Sequence, residues 1–165
     1  MFPSIIRGIL LGVAIYVLAL MFATIQMVHA QDFNSWLDAC APYRADVERI
    51  LDEEHVDRSY YFLMVAESRC TDRAISPKGA AGFWQLMPST AIHYGCLDVH
   101  DLECSTRAAA RYIRHLGATF KRFDDIIAAY NMGGHNLMAR GKTKQAIGLI
   151  NTVHRMMQAD NRRHK

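Results

Sequence analysis

A glutamate that closes a run of apolar residues is placed to do acid–base chemistry. In Tyr60-Tyr61-Phe62-Leu63-Met64-Val65-Ala66-Glu67 the carboxyl ends a segment that is apolar nearly all round, the pattern of a buried helix. Loss of hydration there disfavours the charged form and raises the carboxyl pKa. A glycosidase needs that property in its general acid: a proton still held near neutral pH, ready for a leaving oxygen. One glutamate at a helix end would by itself read as solvent-facing, so the case rests on its company. That company is Ser68, then Ser76-Pro77-Lys78-Gly79-Ala80-Ala81-Gly82-Phe83-Trp84-Gln85-Leu86-Met87-Pro88, and later Ala128-Ala129-Tyr130-Asn131. Ser76 and Gln85 can both donate and accept, which suits sugar hydroxyls and N-acetyl groups. Two-carboxylate glycosidases set a nucleophile or base opposite the acid. The nearest acidic residue in sequence here is Asp72, in a stretch that reads as loop surface.

These three motifs, in this order and at these separations, resemble the lytic transglycosylases, relatives of goose-type lysozyme, and among them the membrane-bound type-D group. The likeness runs over roughly residues 42–138, through Tyr61-Phe62-Leu63, Pro88-Ser89-Thr90-Ala91, Tyr94-Gly95 and Ser105-Thr106-Arg107-Ala108-Ala109. It implies a lysozyme-like domain around a cleft that binds peptidoglycan glycan strands. It implies Glu67 as the single catalytic acid and base, and Ser76, Gln85, Tyr130 and Asn131 as cleft residues, with the Tyr130 hydroxyl approaching Glu67. Ser68, Gly82, Trp84 and Met87 take supporting parts. Ser68 can hold the helix end, Gly82 frees the backbone, and Trp84 and Met87 either pack in the core or lie against a sugar face.

The resemblance also accounts for the missing second carboxylate. Its members protonate the bond between N-acetylmuramic acid and N-acetylglucosamine with help from the substrate's N-acetyl group. The same glutamate then takes the C6 hydroxyl proton as a 1,6-anhydro ring closes. A carboxyl that has given up its proton is a base, and a nucleophile already in the substrate needs no positioned water. The sequence departs from the family pattern at Met132, at His135, and at Asn151-Thr152 with Arg155, where Glu-Thr and a tyrosine are usual. Two other readings compete. One is a hydrolase of the lysozyme type, and the other a non-catalytic glycan-binding or assembly protein.

The elements that must position these residues read as helices. Tyr43, Val47, Ile50 and Leu51 recur at helical spacing after Pro42, which suits a first turn. Asp57 can cap a helix from Ser59 to about Ser68. Residues 74–85 hold Pro77, Gly79 and Gly82 and read as loop with at most a short strand. Pro88–Tyr94 reads as a short helix stopping at Gly95. Ser105 caps a longer helix with Ala109, Tyr112, Ile113, Leu116 and Phe120 on one stripe. Asp124 or Asp125 opens Ile126–Asn131, which the Gly133-Gly134 pair ends. Thr143 to about Met157 gives a last helix, with Ala146, Ile147, Leu149, Ile150 and Val153 inward. No period-two alternation appears, so the expected fold is all-α, about six helices in one domain over residues 31–165.

The first thirty residues carry one charge, Arg7, an apolar run from Gly8 to Ala23, and the ending Val28-His29-Ala30. That is the layout of a secretory signal cleaved before Gln31. The competing reading is an uncleaved anchor, since Ile5–Val28 can span a bilayer, and only then is a membrane a partner. Leu37-Asp38-Ala39-Cys40 is a poor lipoprotein site. Either reading places the domain in the periplasm. In that oxidising compartment Cys40, Cys70, Cys96 and Cys104 favour two disulfides. Three pairings exist, with Cys96–Cys104 preferred because a short loop closes readily, leaving Cys40–Cys70. Zinc held by Cys96, His100 and Cys104 is the rival reading, at an unfamiliar spacing. No metal or cofactor is expected.

The net charge of +3 over 165 residues, with Lys and Arg scattered until Arg162-Arg163-His164-Lys165, is not the basic stripe of a nucleic-acid binder. That tail reads as a frayed, solvated end. With little chain beyond one domain, the small exported form resembles transglycosylases that open the wall locally for a secretion or conjugation assembly.

Overall fold

The computed structural model describes residues 4–164, with side chains described for 13–21 and 33–164. Among the described residues the chain forms seven α-helices and one 3-10 turn, with no strand beyond isolated bridges, so the fold is all-α. Helix α1 spans Ser4–Glu53. In its second half Leu37, Cys40, Val47, Ile50 and Leu51 are buried, at spacings that put them on one face. His55, with φ of +56°, turns the chain out of the helix. The 3-10 turn, Arg58–Tyr60, is capped by the Asp57 carboxylate, which accepts from the Ser59 amide at 2.8 Å.

Helix α2, Tyr61–Ser68, buries Tyr61 through Val65 in succession. A helix apolar on all sides must be enclosed on all sides. It packs against α1, the 3-10 turn and α7. Helices α3 (Pro88–His93), α4 (Leu102–Thr119), α5 (Phe123–Met132), α6 (Gly134–Arg140) and α7 (Lys144–Arg163) complete the domain. Helix α4 packs on α1, α3 and α5, and α5 on α6 and α7.

Several sequence expectations are corrected. Pro42 lies inside α1 rather than in a first turn. An interior proline costs about 3 kcal/mol. Here the buried face on either side and the disulfide from Cys40 hold the helix through it. Asp101, not Ser105, caps α4: its carboxylate accepts from the Cys104 amide at 2.6 Å, and Ser105 sits one turn in, 1% exposed. Helix α5 begins at Phe123, one residue before Asp124. The glycine pair ends α5 as expected, with Gly133 as its C-cap, but a further short helix follows at once. Gly133, φ +83°, breaks the line, and α6 starts at Gly134.

Ile147 faces outward, 45% exposed, while Ala146, Ile150 and Val153 are buried. Nor is the C-terminus frayed at Met157. Helix α7 runs to Arg163, held by ion pairs of Asp160 with Arg44 and of Arg163 with Asp38. Arg44 reaches Asp160 at 2.8 and 2.9 Å and stacks over the Tyr61 ring, tying α1, α2 and α7 together. On the other flank Glu54, 8% exposed, accepts from Arg111 and also pairs with Arg107 and Arg114, which joins α1 to α4.

The side chains at the expected cleavage site, Val28-His29-Ala30, lie outside the described residues, as do most of those in the expected leader. Among the described residues no helix is long and apolar enough to cross a membrane. The disulfides are Cys40–Cys70 and Cys96–Cys104, with Cα atoms 5.4 and 5.2 Å apart. The described residues hold no cluster of His, Cys, Asp or Glu suited to a metal ion, and the zinc reading fails because Cys96 and Cys104 are bonded to each other.

Candidate functional site

Glu67 is the penultimate residue of α2, so the helix that the core encloses delivers its carboxyl to the edge of that core. The side chain is partly exposed. Burial pushes its pKa up to about 7 from 4.5, and a hydrogen bond with the Asn131 side chain pulls the other way. Its place in the last helical turn, near the negative end of the dipole, also disfavours the anion.

Tyr130 and Asn131 come from α5, one buried and the other half-buried. Tyr130 is close enough for the Glu67 charge to help push its own pKa well above the ordinary value, burial being the larger cause. The Tyr130 hydroxyl donates to the carbonyl of Trp84 at 2.9 Å. Its ring lies against Tyr112, centroids 5.3 Å apart. Tyr112, read from sequence only as part of an apolar stripe, therefore backs the site, and nothing in its spacing distinguishes it from a core residue.

The stretch between α2 and α3 is held by its own backbone. Isolated bridges pair Ile75 with Ala81 and Ala81 with Leu86. Ser76 closes a turn: its amide donates to the Ala80 carbonyl at 2.8 Å and its hydroxyl accepts from the Ala80 amide at 3.0 Å. Gly82, φ +74°, leaves no room for a Cβ, which would fall 1.9 Å from the Val99 carbonyl oxygen. Gln85 adopts φ +48°, and its side-chain amide donates to the carbonyls of Ala74 and Gly82, both at 3.0 Å. With both amide protons given to the loop, its oxygen is the part left for a ligand. Trp84 is fully buried, its indole N–H donating to Thr106 at 2.9 Å, so it is core and not a sugar platform. Met87 precedes α3 and is 42% exposed. Ser68 is buried. Its hydroxyl accepts from the Cys70 amide at 3.0 Å and closes the end of α2.

The structure thus gathers Glu67, Tyr130 and Asn131, with Trp84 and Gln85 tied to them through the Tyr130 hydroxyl, and turns the polar groups of Ser76 and Ser68 to local bonds. Met132 packs half-buried at the end of α5, and His135 and Asn151 are exposed. Sequence reasoning missed Trp36 and Arg69. Arg69 follows Ser68 directly and stacks over the Trp36 ring of α1 at 4.1 Å. No local pattern links residues so far apart in the chain. Chemically, the arrangement holds one carboxyl that keeps part of its proton near neutral pH, close to a phenol and an amide. Among the described residues no second carboxylate acts on it.

The Transglycosylase SLT domain family model matches residues 48–152. Over 117 residues the chain is 31% identical to membrane-bound lytic murein transglycosylase D of Escherichia coli (strain K12), covering 65% of this chain and 25% of that protein. The protein of the same name from Escherichia coli O6:H1 matches with the same identity and coverage. The chain spans about a quarter of the length of the curated relatives it matches.

Proposed function

Since the chain belongs to the Transglycosylase SLT domain family, we propose that it is a lytic transglycosylase, cutting the β-1,4 bond between N-acetylmuramic acid and N-acetylglucosamine in peptidoglycan. The observation that carries this reading is the carboxyl of Glu67, at the end of the enclosed helix α2 and raised to about 7 by burial, with no second carboxylate among the described residues acting on it. A lone carboxyl of that kind suits a reaction in which one group is acid and then base. Glu67 gives its proton to the glycosidic oxygen as the C1–O bond breaks, the substrate's N-acetyl group assisting at C1. The carboxylate so formed takes the proton of the C6 hydroxyl as O6 bonds to C1. The 1,6-anhydro sugar forms, Glu67 is protonated again, and no water is consumed.

A general acid–base group contributes about 10²–10⁴-fold to rate. Asn131, hydrogen-bonded to Glu67, orients the carboxyl, and Tyr130 ties the loop that bears Gln85 to α5 through the Trp84 carbonyl. The reading extends to an exported, periplasmic protein. Its two disulfides support this, since such bonds persist in oxidising compartments. It extends further to local wall opening beside a secretion or conjugation assembly, with the leader either cleaved before Gln31 or kept as an anchor.

The test is mass spectrometry of the soluble products when the purified protein and its Glu67→Gln variant digest isolated sacculi. Anhydro-muropeptides, one water lighter than hydrolysis products and absent with the variant, are expected. Reducing-end products would make it a hydrolase of the lysozyme type, and no release by either protein would favour a glycan-binding role.

A further inference from the structure

The exit from α2 is built in an unusual way. Immediately after Glu67-Ser68, Arg69 and Cys70 both take left-handed backbone conformations, with φ of +53° and +57°. Two such residues in succession, neither a glycine, persist only where their surroundings hold them. Here both are held by one face of α1. Cys70 is bonded to Cys40, which is fully buried. The Arg69 guanidinium lies 4.1 Å from the centre of the Trp36 ring, which meets Phe33 edge-on at 5.3 Å. Trp36 and Cys40 are four residues apart, so the helix presents them together. Ser68 adds a third tie within the turn, accepting from the Cys70 amide at 3.0 Å.

We propose that the Cys40–Cys70 disulfide and the Arg69–Trp36 stack together form a positioning clamp that keeps the last turn of α2 closed and so holds the Glu67 carboxyl against α5 with limited access to water. The inference rests on reading Glu67 as the acid of this site. Helix ends fray, α2 has only eight residues, and Glu67 lies in its last turn. An unclamped last turn admits water to the carboxyl, and hydration favours the charged form. The groups that face Glu67 are Asn131 and Tyr130, both on α5. Neither carries a charge near neutral pH that could replace the effect of burial. The clamp also makes the site depend on oxidation: a chain with Cys40 and Cys70 reduced keeps Glu67 but loses one of the two ties behind it.

The test uses the full chain, carboxyl-labelled at glutamate, with the Glu67 signal assigned by its loss in Glu67→Gln. The variants are Cys40→Ser/Cys70→Ser and Arg69→Ala. In variants that remain folded, the Glu67 titration midpoint is expected to fall from about 7 toward 4.5 by about one unit or more. Turnover on sacculi near neutral pH then falls about tenfold per unit and recovers at lower pH, with KM little changed. Arg69→Lys keeps a cation over Trp36 and is expected to stay near the wild-type midpoint. Folded variants with an unmoved midpoint would overturn the clamp, leaving the disulfide and the stack as stability elements alone. If the paired serine variant does not fold, Arg69→Ala, at an exposed position, decides the matter. A wild-type midpoint near 7 with no product release would defeat the functional reading and leave the clamp standing.

Discussion

The Tyr130 hydroxyl donates to the main-chain carbonyl of Trp84 at 2.9 Å, so the ring that stands beside Glu67 spends its polar end on the peptide that introduces Gln85. That peptide leads into a left-handed residue whose side-chain amide is bonded to Ala74 and Gly82. Tyr130 therefore fixes the loop that carries Gln85 while lying close enough to Glu67 to feel its charge.

Tyr130→Phe keeps the ring and removes the bond. It leaves the buried Trp84 carbonyl without its partner, which costs about 1–3 kcal/mol. Urea unfolding should show that loss, and the folded variant should release anhydro-muropeptides more slowly than the wild type. An unchanged rate in a destabilised protein would reduce Tyr130 to packing.

The raised carboxyl of Glu67 couples stability to pH in a definite direction. Its folded pKa is about 7 against 4.5 in the ordinary state. Between those values the unfolded chain releases this proton while the folded one keeps it. Stability from this group therefore falls as pH rises through that window, by about 3 kcal/mol in total. Glutamine cannot ionise. Glu67→Gln should match the wild type near pH 4 and exceed it above about pH 7, read as melting temperature against pH. With Glu67 as the proposed acid, turnover should decline as pH rises past about 7. Equal stability of the two proteins at all pH values would mean that the carboxyl is hydrated.

Gly82 is the position where the loop admits no side chain. A Cβ there would sit 1.9 Å from the Val99 carbonyl oxygen at φ +74°, so Gly82→Ala must move one backbone segment or the other. A loss of about 3 kcal/mol is expected from the clash and the backbone conformation together. Gly79→Ala, also at positive φ but with nothing near its Cβ, should cost less. Thermal melts of the two variants side by side check the difference.

Much of the architecture was legible in the residues. The apolar run before Glu67, the stripe of Ala109, Ile113 and Leu116, and the Thr143 cap give α2, α4 and α7 from local periodicity and capping alone. The errors fell where a distant partner overrode a local signal. Pro42 reads as a helix start until Cys40 and Val47 are buried on either side of it. The basic tail, exposed as expected, reads as frayed until Arg163 meets Asp38, 125 positions away.

By itself, then, the sequence determined an all-α chain, an acid at the end of its most apolar helix, and four cysteines open to three pairings. Tertiary structure sets α5 against that acid, with Tyr130 and Asn131 close to it, a placement that periodicity and capping do not supply. It also decided which cysteines pair and which residues follow Glu67 into left-handed backbone. Periodicity and capping act over one or two turns of chain. Burial of a carboxyl, and with it the pKa of Glu67, depends on which elements pack around it, and the residues of α2 do not carry that information.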